Sequence, residues 1–141
     1  MATKYGEKYE STKGLKPAQV AALIRVDIKA QLPGVKVSVK THSSSTSYSI
    51  DICLLSAPVQ VMNPQRLAAD LDSDFGNRLL PHFTAEGQRI ISVLEAIHAV
   101  YNFDGCDYSS DYFHVRYYGG VSVASELRQA ERFAVAQELA S

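Results

Sequence analysis

The amino-acid sequence predicts an α+β fold, and three observations lead to that prediction. Two segments of alternating polarity follow one another directly, helical periods lie on both sides of them, and no regular strand–helix–strand alternation occurs. The 141 residues suit one domain of ordinary composition, with 46% hydrophobic and 21% charged residues. We therefore expect a small antiparallel sheet, made of a hairpin and a third strand, with helices packed on one face.

The first helix is expected after a polar N-terminal tail. Residues 1–12 show no hydrophobic period, so the single domain is expected to span 13–141. Pro17 suits the first turn of a helix, and the Pro33-Gly34 pair marks the end of that helix. Between them, hydrophobic residues recur at the spacing of one buried helix face: Val20, Leu23, Ile24, Ile28 and Leu32.

The hairpin is the clearest β signal in the chain. Valines alternate with polar residues over 35–40, and large apolar residues alternate with serine, aspartate and cysteine over 48–54. The stretch 41–47 between them is long for a tight turn and lacks glycine. We expect this loop to be mobile or to form a contact surface.

The second half of the chain predicts three helices and the third strand. A short helix could cover Pro64–Leu71, and a long helix begins at Thr84, whose side chain suits an N-cap. Residues 112–118 alternate as a strand, and 125–139 form a closing helix. The inner face of that last helix is expected to hold Leu127, Ala130, Ala134 and Leu139, with Phe133 near its edge.

Composition and motifs argue against several functional classes. No apolar run approaches the ~18 residues of a membrane span, and the polar N-terminus resembles no secretory signal, so we expect a cytoplasmic protein. Two cysteines make neither a disulfide framework nor a four-cysteine zinc site. Phosphate-binding glycine loops and the G-x-S-x-G elbow are missing from the sequence. We expect no metal, no cofactor and no enzyme activity.

An enzyme built on Asp104, Cys106 and His114 is the least favoured alternative. A nucleophilic cysteine needs nearby cations or a helix N-terminus, whereas aspartates stand on both sides of Cys106. These neighbours disfavour the reactive thiolate.

Charge is divided unevenly along the chain. Residues 1–40 carry eight basic and three acidic side chains, and the rest of the chain is net acidic. A lysine-rich segment could follow the phosphates of a nucleic acid, or it could be the solvated face of a helix and a tail. The candidate nucleic-acid-binding residues are Lys4, Lys8, Lys13, Lys16, Lys36 and Lys40.

Tyrosine and aspartate are concentrated near the expected third strand. Five of the eight tyrosines lie within 101–118, among several aspartates. Tyrosine and arginine are enriched at protein–protein hot spots, although this face could instead lie under the last helix. The candidate partner-binding residues are Asp104, Asp107, Tyr108, Asp111, Tyr112 and Arg116.

Three segments in order resemble a known family: AALIRVDIKAQLPGVKVSV, SYSIDICL and YNFDGCDYSSDYFHVRYY. Over Ser11 to Tyr118 the chain resembles family 29 of the domains associated with large polyvalent proteins of phages and conjugative elements. The tryptophan and Gly-Pro pair usual after the second segment are missing here, and residues 54–58 keep only Pro58. The resemblance implies a phage or other mobile element acting inside a bacterial host, and it brings no catalytic residues.

These observations predict a non-enzymatic, counter-defence binding protein of a mobile element. Its acidic and aromatic surface would block a host protein such as a CRISPR effector or a restriction enzyme, with carboxylates imitating DNA phosphates. The alternative is a nucleic-acid-binding accessory protein that uses the lysine-rich segment. The exposed edge of a hairpin could also support a homodimer, which the sequence does not decide.

Overall fold

The computed structural model describes residues 4–45, 47–72, 80–104 and 116–140. In chain order the elements are β1 (Lys4–Tyr5), α1 (Tyr9–Thr12), α2 (Pro17–Gln31), β2 (Lys36–Ser43), β3 (Tyr48–Ser56), α3 (Pro64–Asp72), α4 (Ala85–Val100), β4 (Phe103–Asp104), β5 (Val121–Val123) and α5 (Ser125–Ala140). The predicted α+β class is confirmed. None of the helices within these residues is long and apolar enough to cross a membrane.

A three-stranded sheet in the order β2–β3–β5 lies at the centre of the fold. β2 and β3 pair antiparallel over the whole of β2, which confirms the predicted hairpin. β2 reaches further towards the turn than expected, because its pairing continues through residues 41–43, whereas β3 begins at Tyr48 as predicted. Ser44 and Ser47 then face each other across the turn, with their hydroxyl oxygens 3.1 Å apart.

The observed third strand differs from the expected one in its position and its direction. It is β5, which pairs parallel with β3, so the sheet is mixed instead of wholly antiparallel. Of the expected strand 112–118, residues 112–115 lie outside the described residues, and Tyr118 forms an isolated parallel bridge to Ser49. A parallel neighbour needs a long crossover, and α3 and α4 lie in this one.

The hydrophobic core lies between one face of the sheet and two long helices. Ile50, Ile52 and Leu54 of β3 have no exposed surface and belong to one cluster with buried residues of α2 and α4. α2 and α4 contact β3 and each other. Burying each large aliphatic side chain contributes about 1.5–3 kcal/mol, which makes this face the main source of stability.

The two long core helices begin and end where the sequence predicts. Pro17 lies in the first turn of α2, and Gly34, just beyond its end, has a φ of +86° that glycine adopts without strain. Thr84 caps α4, since its Oγ1 accepts a hydrogen bond from the Gly87 amide at 2.9 Å.

The closing helix α5 presents a different inner face from the expected one. The predicted inner residues Ala130, Ala134 and Leu139 are exposed, and so is Phe133. Leu127 is buried as predicted, and Val135 is the other buried residue of the helix. Between them Glu131 turns inward, because its carboxylate binds backbone amides of residues 61 and 62. The hydrogen bonds of Glu131 therefore determine which face of α5 is directed inward.

Residues 4–12 differ from the expected polar tail. β1 pairs antiparallel with β4, and α1 follows it directly. The Gly6 amide donates to the Asn102 carbonyl and the Lys8 amide to the Val100 carbonyl, both at 2.8 Å. Thr12 is buried. These hydrogen bonds join the segment to the end of α4, a long-range pairing that no local pattern announces.

Candidate protein-binding site

Most residues of the predicted acidic and aromatic surface lie outside the described residues. They are Asp107, Tyr108, Asp111 and Tyr112, together with Cys106 and His114 of the least favoured enzyme alternative. For Asp104 the structure describes the backbone, which pairs with Lys4 between β4 and β1. Arg116 is the predicted residue whose side-chain contacts are described.

Arg116 is engaged in contacts within the chain. Its guanidinium donates hydrogen bonds to Thr12 Oγ1 at 2.9 Å, to the Thr12 carbonyl and to the Tyr101 carbonyl at 2.8 Å. It also lies over the Tyr9 ring, 5.3 Å from the centroid. These contacts hold α1 against the end of α4. Arg116 therefore has a structural position instead of the partner-facing one that we expected.

The first lysines of the predicted basic segment are distributed around α1 and the start of α2. Lys8 Nζ lies 3.3 Å from Asp27 Oδ2, and Lys13 Nζ lies 3.0 Å from Glu10 Oε2. Lys16 precedes α2 as its N-cap residue. Because Lys8 and Lys13 face carboxylates of the same chain, part of their charge is already neutralised.

Lys36 and Lys40 have a different setting, on the outer strand of the sheet. Both belong to β2 and are exposed. Lys4 belongs to β1, where the structure describes its backbone. The six predicted lysines therefore do not form one arm, and two of them mark the edge strand.

β2 exposes half of its backbone polar groups at the sheet edge. In β3 the amides of Ile50 and Ile52 donate to carbonyls that precede β5, each at 2.9 Å. Backbone groups in an antiparallel ladder alternate in direction. The residues opposite the even-numbered positions of β3 are Val37, Val39 and Thr41. Their amides and carbonyls therefore point away from β3.

Arg25 of α2 reaches this edge. Its Nη2 donates to the Val39 carbonyl at 2.5 Å. Within the described residues, the outward groups of Val37 and Thr41 have no hydrogen bond. Among the described residues, the edge is therefore hydrogen-bonded at the Val39 carbonyl and unpaired at Val37 and Thr41.

A shallow groove of about 560 Å³ lies between the end of α2 and the start of β2. Its apolar lining includes Ile28, Leu32, Val35, Val37 and Leu55. Leu55 is 44% exposed and contributes apolar surface to the groove. Val37 belongs both to the groove and to the outward edge, so the two features are continuous.

The same groove carries a concentration of positive charge. Arg25, Lys29 and Lys36 line it and are exposed, and none of the described residues that line it is acidic. The ion pairs found within the described residues involve other lysines and arginines. The three cations therefore have no carboxylate of the described chain within 4.0 Å. We call the outward edge of β2 and this lining the β2 groove.

The other face of the sheet carries several polar side chains among the described residues. The register places His42, Ser49 and Tyr118 in one row and Lys40 beside Asp51 in the next. Tyr118 is 47% exposed. Within the described residues, no three histidine, cysteine, aspartate or glutamate side chains come together as a metal site.

The groups with shifted pKa values belong to packing networks. Burial lowers the pKa of His98, whose Nε2 lies 2.8 Å from the Ile50 carbonyl. Burial also raises the pKa of Tyr101 and of Tyr117. Tyr101 donates to Asp27 at 2.5 Å, and Tyr117 donates to the His98 carbonyl. Each group thus has a partner that fixes its position.

The β2 groove is the feature that sequence patterns did not indicate. In the sequence, Arg25 and Lys29 fall opposite the apolar face of the first helix, and Lys36 was expected only as part of a basic segment. The turn at Pro33-Gly34 brings helix and strand together, and the strand order leaves β2 outermost.

Comparison of the chain with protein-family models, curated proteins and solved structures found no match.

Proposed function

We propose that this chain is a non-enzymatic binding protein that engages a partner protein through the β2 groove. The observation that carries the proposal is the open outer edge of an eight-residue strand. Such an edge presents unpaired amides and carbonyls that can pair with another chain. Here the edge lies beside apolar surface, which supplies the area that a stable contact needs.

Among the described residues, the groups with shifted pKa values lie apart from the β2 groove. Catalytic sites collect groups with perturbed pKa values in a cleft. Of the shifted groups in the described residues, His98 and Tyr101 join α4 to β3 and α2, and Tyr117 donates to the His98 carbonyl of α4. The β2 groove is instead built from cations and aliphatic side chains.

The biological setting follows from the resemblance of the three sequence segments. In that setting the chain belongs to a phage or other mobile element, acts inside a bacterial host, and blocks a defence protein such as a CRISPR effector or restriction enzyme. Occlusion requires affinity and surface area but no reaction, in keeping with a binding module. The residues 104, 107, 108, 111 and 112 stay in this proposal as a second candidate surface.

The test combines a cellular assay with a defined complex. Cells with an active defence system, with and without this protein, are challenged with phage, and each purified defence protein is then mixed with the chain. We expect higher plating efficiency and a stoichiometric complex in size-exclusion chromatography with the same defence protein. The triple variant D104N/D107N/D111N shows whether the acidic surface contributes. Unchanged plating together with no complex across the panel would reject the counter-defence role.

Nucleic-acid binding is a second candidate, favoured by the cations around the β2 groove. Arg25, Lys29, Lys36 and Lys40 could neutralise phosphates. With four phosphates neutralised, the logarithm of the affinity should fall with the logarithm of salt at a slope of about −3.6. Fluorescence anisotropy with labelled DNA, between about 50 and 200 mM salt as in typical salt titrations, measures this slope. A flat salt dependence or no binding would exclude this candidate.

A further inference from the structure

We infer that the β2 groove binds an extended acidic segment of a partner protein, which joins the sheet as an additional strand beside β2. The inference rests on the proposed binding function and names the ligand of that same site. Three properties of the groove determine the ligand: the direction of its backbone groups, its apolar lining and its charge.

The backbone of β2 requires an extended ligand. Val37, Val39 and Thr41 present outward groups at every second residue, which is the period of a paired strand. A helix cannot satisfy such a row, because its own amides and carbonyls bond within the helix. A strand running beside β2 can pair with each of these residues.

The apolar lining requires alternate apolar side chains on the ligand. Side chains of a strand point to the two faces in turn, so every second ligand residue would face α2. On that side lie Ile28, Leu32 and Val35. The ligand is therefore expected to alternate, with aliphatic or aromatic residues directed into the groove.

The charge of the groove favours acidic residues in the ligand. Arg25, Lys29 and Lys36 line it without a carboxylate of the described chain nearby. Carboxylates of a ligand would neutralise them and speed association. Arg25 also donates a hydrogen bond to the Val39 carbonyl. An amide of the bound strand would replace Arg25 at that carbonyl, and the guanidinium could then pair with a ligand carboxylate.

Charge also argues against a second copy as the occupant. Pairing β2 with β2 of another molecule would bring together two strands that each carry Lys36 and Lys40, and Arg25 and Lys29 of both copies would lie close by. Like charges across paired strands are destabilising, and lysines on edge strands prevent self-pairing. Nucleic acid would satisfy the cations but leave the outward amides and the apolar lining unused.

The experiment begins with a display library of random twelve-residue peptides selected on the purified chain. We expect enrichment of peptides that combine alternating apolar residues with acidic residues. A fluorescent synthetic copy of one enriched peptide then gives a dissociation constant, and nuclear magnetic resonance of the labelled chain locates its contacts. The amides of Val37, Val39 and Thr41 are expected to shift most.

Thr41→Pro tests the strand addition directly. Proline removes the outward Thr41 amide, which β2–β3 pairing does not use, and proline is tolerated at such edge positions. We expect the peptide to bind at least about tenfold more weakly, because a proline ring also blocks close approach. Thr41→Val keeps the amide and should bind as the unmodified chain does. Thermal unfolding of both variants verifies the fold.

The double variant K29E/K36E tests the charge independently of the edge. We expect its affinity for the acidic peptide to fall by about tenfold or more. The exposed α5 variant Arg132→Glu should bind the peptide as the unmodified chain does. Unaltered binding by both Thr41→Pro and K29E/K36E would overturn the inference.

The remaining outcomes separate this inference from the proposed function. Peptides whose shifts fall within 104–116 would overturn the inference and leave a protein-binding module. If no peptide is enriched and the chain instead binds DNA in a salt-dependent way, both the inference and the proposed protein-binding function are rejected. A dimer in sedimentation that Thr41→Pro dissociates would show that a second copy occupies the edge, and would also overturn the inference.

Discussion

His98 is a buried basic side chain whose pKa the fold lowers. Its Nε2 donates to the Ile50 carbonyl at 2.8 Å, and its ring meets the Tyr117 ring edge-on at 5.0 Å. Burial, the largest influence, lowers its pKa below the ordinary value of 6.5. Protonation therefore costs more free energy in the folded chain than in the unfolded chain.

The stability of the protein is expected to fall as the pH drops below about 6.5. In that range the unfolded chain binds a proton at His98 that the folded chain does not, so stability increases with pH up to 6.5 and then levels off. Urea unfolding at about pH 7.5 and about pH 5.0, on either side of the ordinary histidine pKa, measures the loss. His98→Gln keeps an N–H donor but does not titrate, and should lose less stability over the same range. An equal loss in His98→Gln and in the exposed-site control His82→Gln would contradict this explanation.

Glu131 is a charged residue with a structural function. Its carboxylate accepts hydrogen bonds from the amides of Val61 at 3.1 Å and Met62 at 2.6 Å, and from Gln60 Nε2 at 3.1 Å. Val61 and Met62 are buried. No apolar side chain at this position could satisfy those amides.

Glu131→Ala is expected to lower the free energy of unfolding by about 1–3 kcal/mol, the cost of leaving a buried backbone donor unpaired. Glu131→Gln keeps one acceptor oxygen, so its free energy of unfolding should lie between those of Glu131→Ala and the unmodified protein. Urea denaturation measures both, with the exposed neighbour Gln129→Ala as the control. Equal stabilities of Glu131→Ala and Gln129→Ala would show that water replaces the carboxylate.

At the scale of elements, the approach to β5 depends on one glycine. Gly119 has a φ of +99°, and a Cβ there would overlap the Ile50 carbonyl oxygen and lie 2.8 Å from Asp51 Oδ1. A Cβ added at Gly120, the next residue, would meet no atom within 4 Å. A side chain is therefore excluded by close contacts at Gly119 but has room at Gly120.

Gly119→Ala is expected to destabilise the protein by about 1–3 kcal/mol, since both the backbone conformation and the close approach to β3 oppose a side chain. Gly120→Ala should stay within about 0.5 kcal/mol of the unmodified chain. Thermal unfolding of the pair measures the difference. Similar melting temperatures would mean that 118–121 can move away from β3 at little cost.

The elements that the sequence predicts correctly are those whose pattern lies within one segment. Val20, Ile24 and Ile28 repeat at the helical period, and Ile50, Ile52 and Leu54 alternate; both sets are buried as expected. β5 has three residues, too few for a pattern, and its parallel partner lies across a long crossover. The inner face of α5 was predicted from apolar residues alone, whereas Glu131 determines it through hydrogen bonds.

At the scale of the whole molecule, the β2 groove results from strand order. Lys36 and the valines around it indicate a strand, but nothing local indicates that β5 joins β3 and leaves β2 outermost. Arg25 and Lys29 come from α2, across the Pro33-Gly34 turn. Binding surfaces that combine elements in this way depend on tertiary packing, which single-segment patterns do not contain.

The attachment of the N-terminal segment is also a property of the whole molecule. Arg116 connects Thr12 to Tyr101, and Lys8 connects to Asp27 of α2. The segment 4–12 therefore depends on contacts from residues about a hundred positions later in the chain.

Arg116→Ala is expected to loosen residues 4–12, because hydrogen bonds to charged groups contribute about 1.5–3 kcal/mol. Hydrogen exchange followed by mass spectrometry should show faster exchange in a peptide that contains the Gly6 and Lys8 amides. The exposed α5 variant Arg128→Ala should leave this exchange unchanged. Unchanged exchange in Arg116→Ala would show that β1–β4 pairing alone holds the segment.

The parallel pairing of β3 with β5 has a consequence for synthesis of the chain on the ribosome. The hairpin is complete once residue 56 has emerged, but the strand that pairs with Ile52 and Leu54 begins at Val121. At a translation rate of about 5–20 residues per second, the second edge of β3 stays unpaired for several seconds. During that interval the nascent hairpin exposes apolar residues that chaperones recognise. Slower translation over 57–120 would lengthen this exposure, so the yield of folded protein should depend on codon speed in that region.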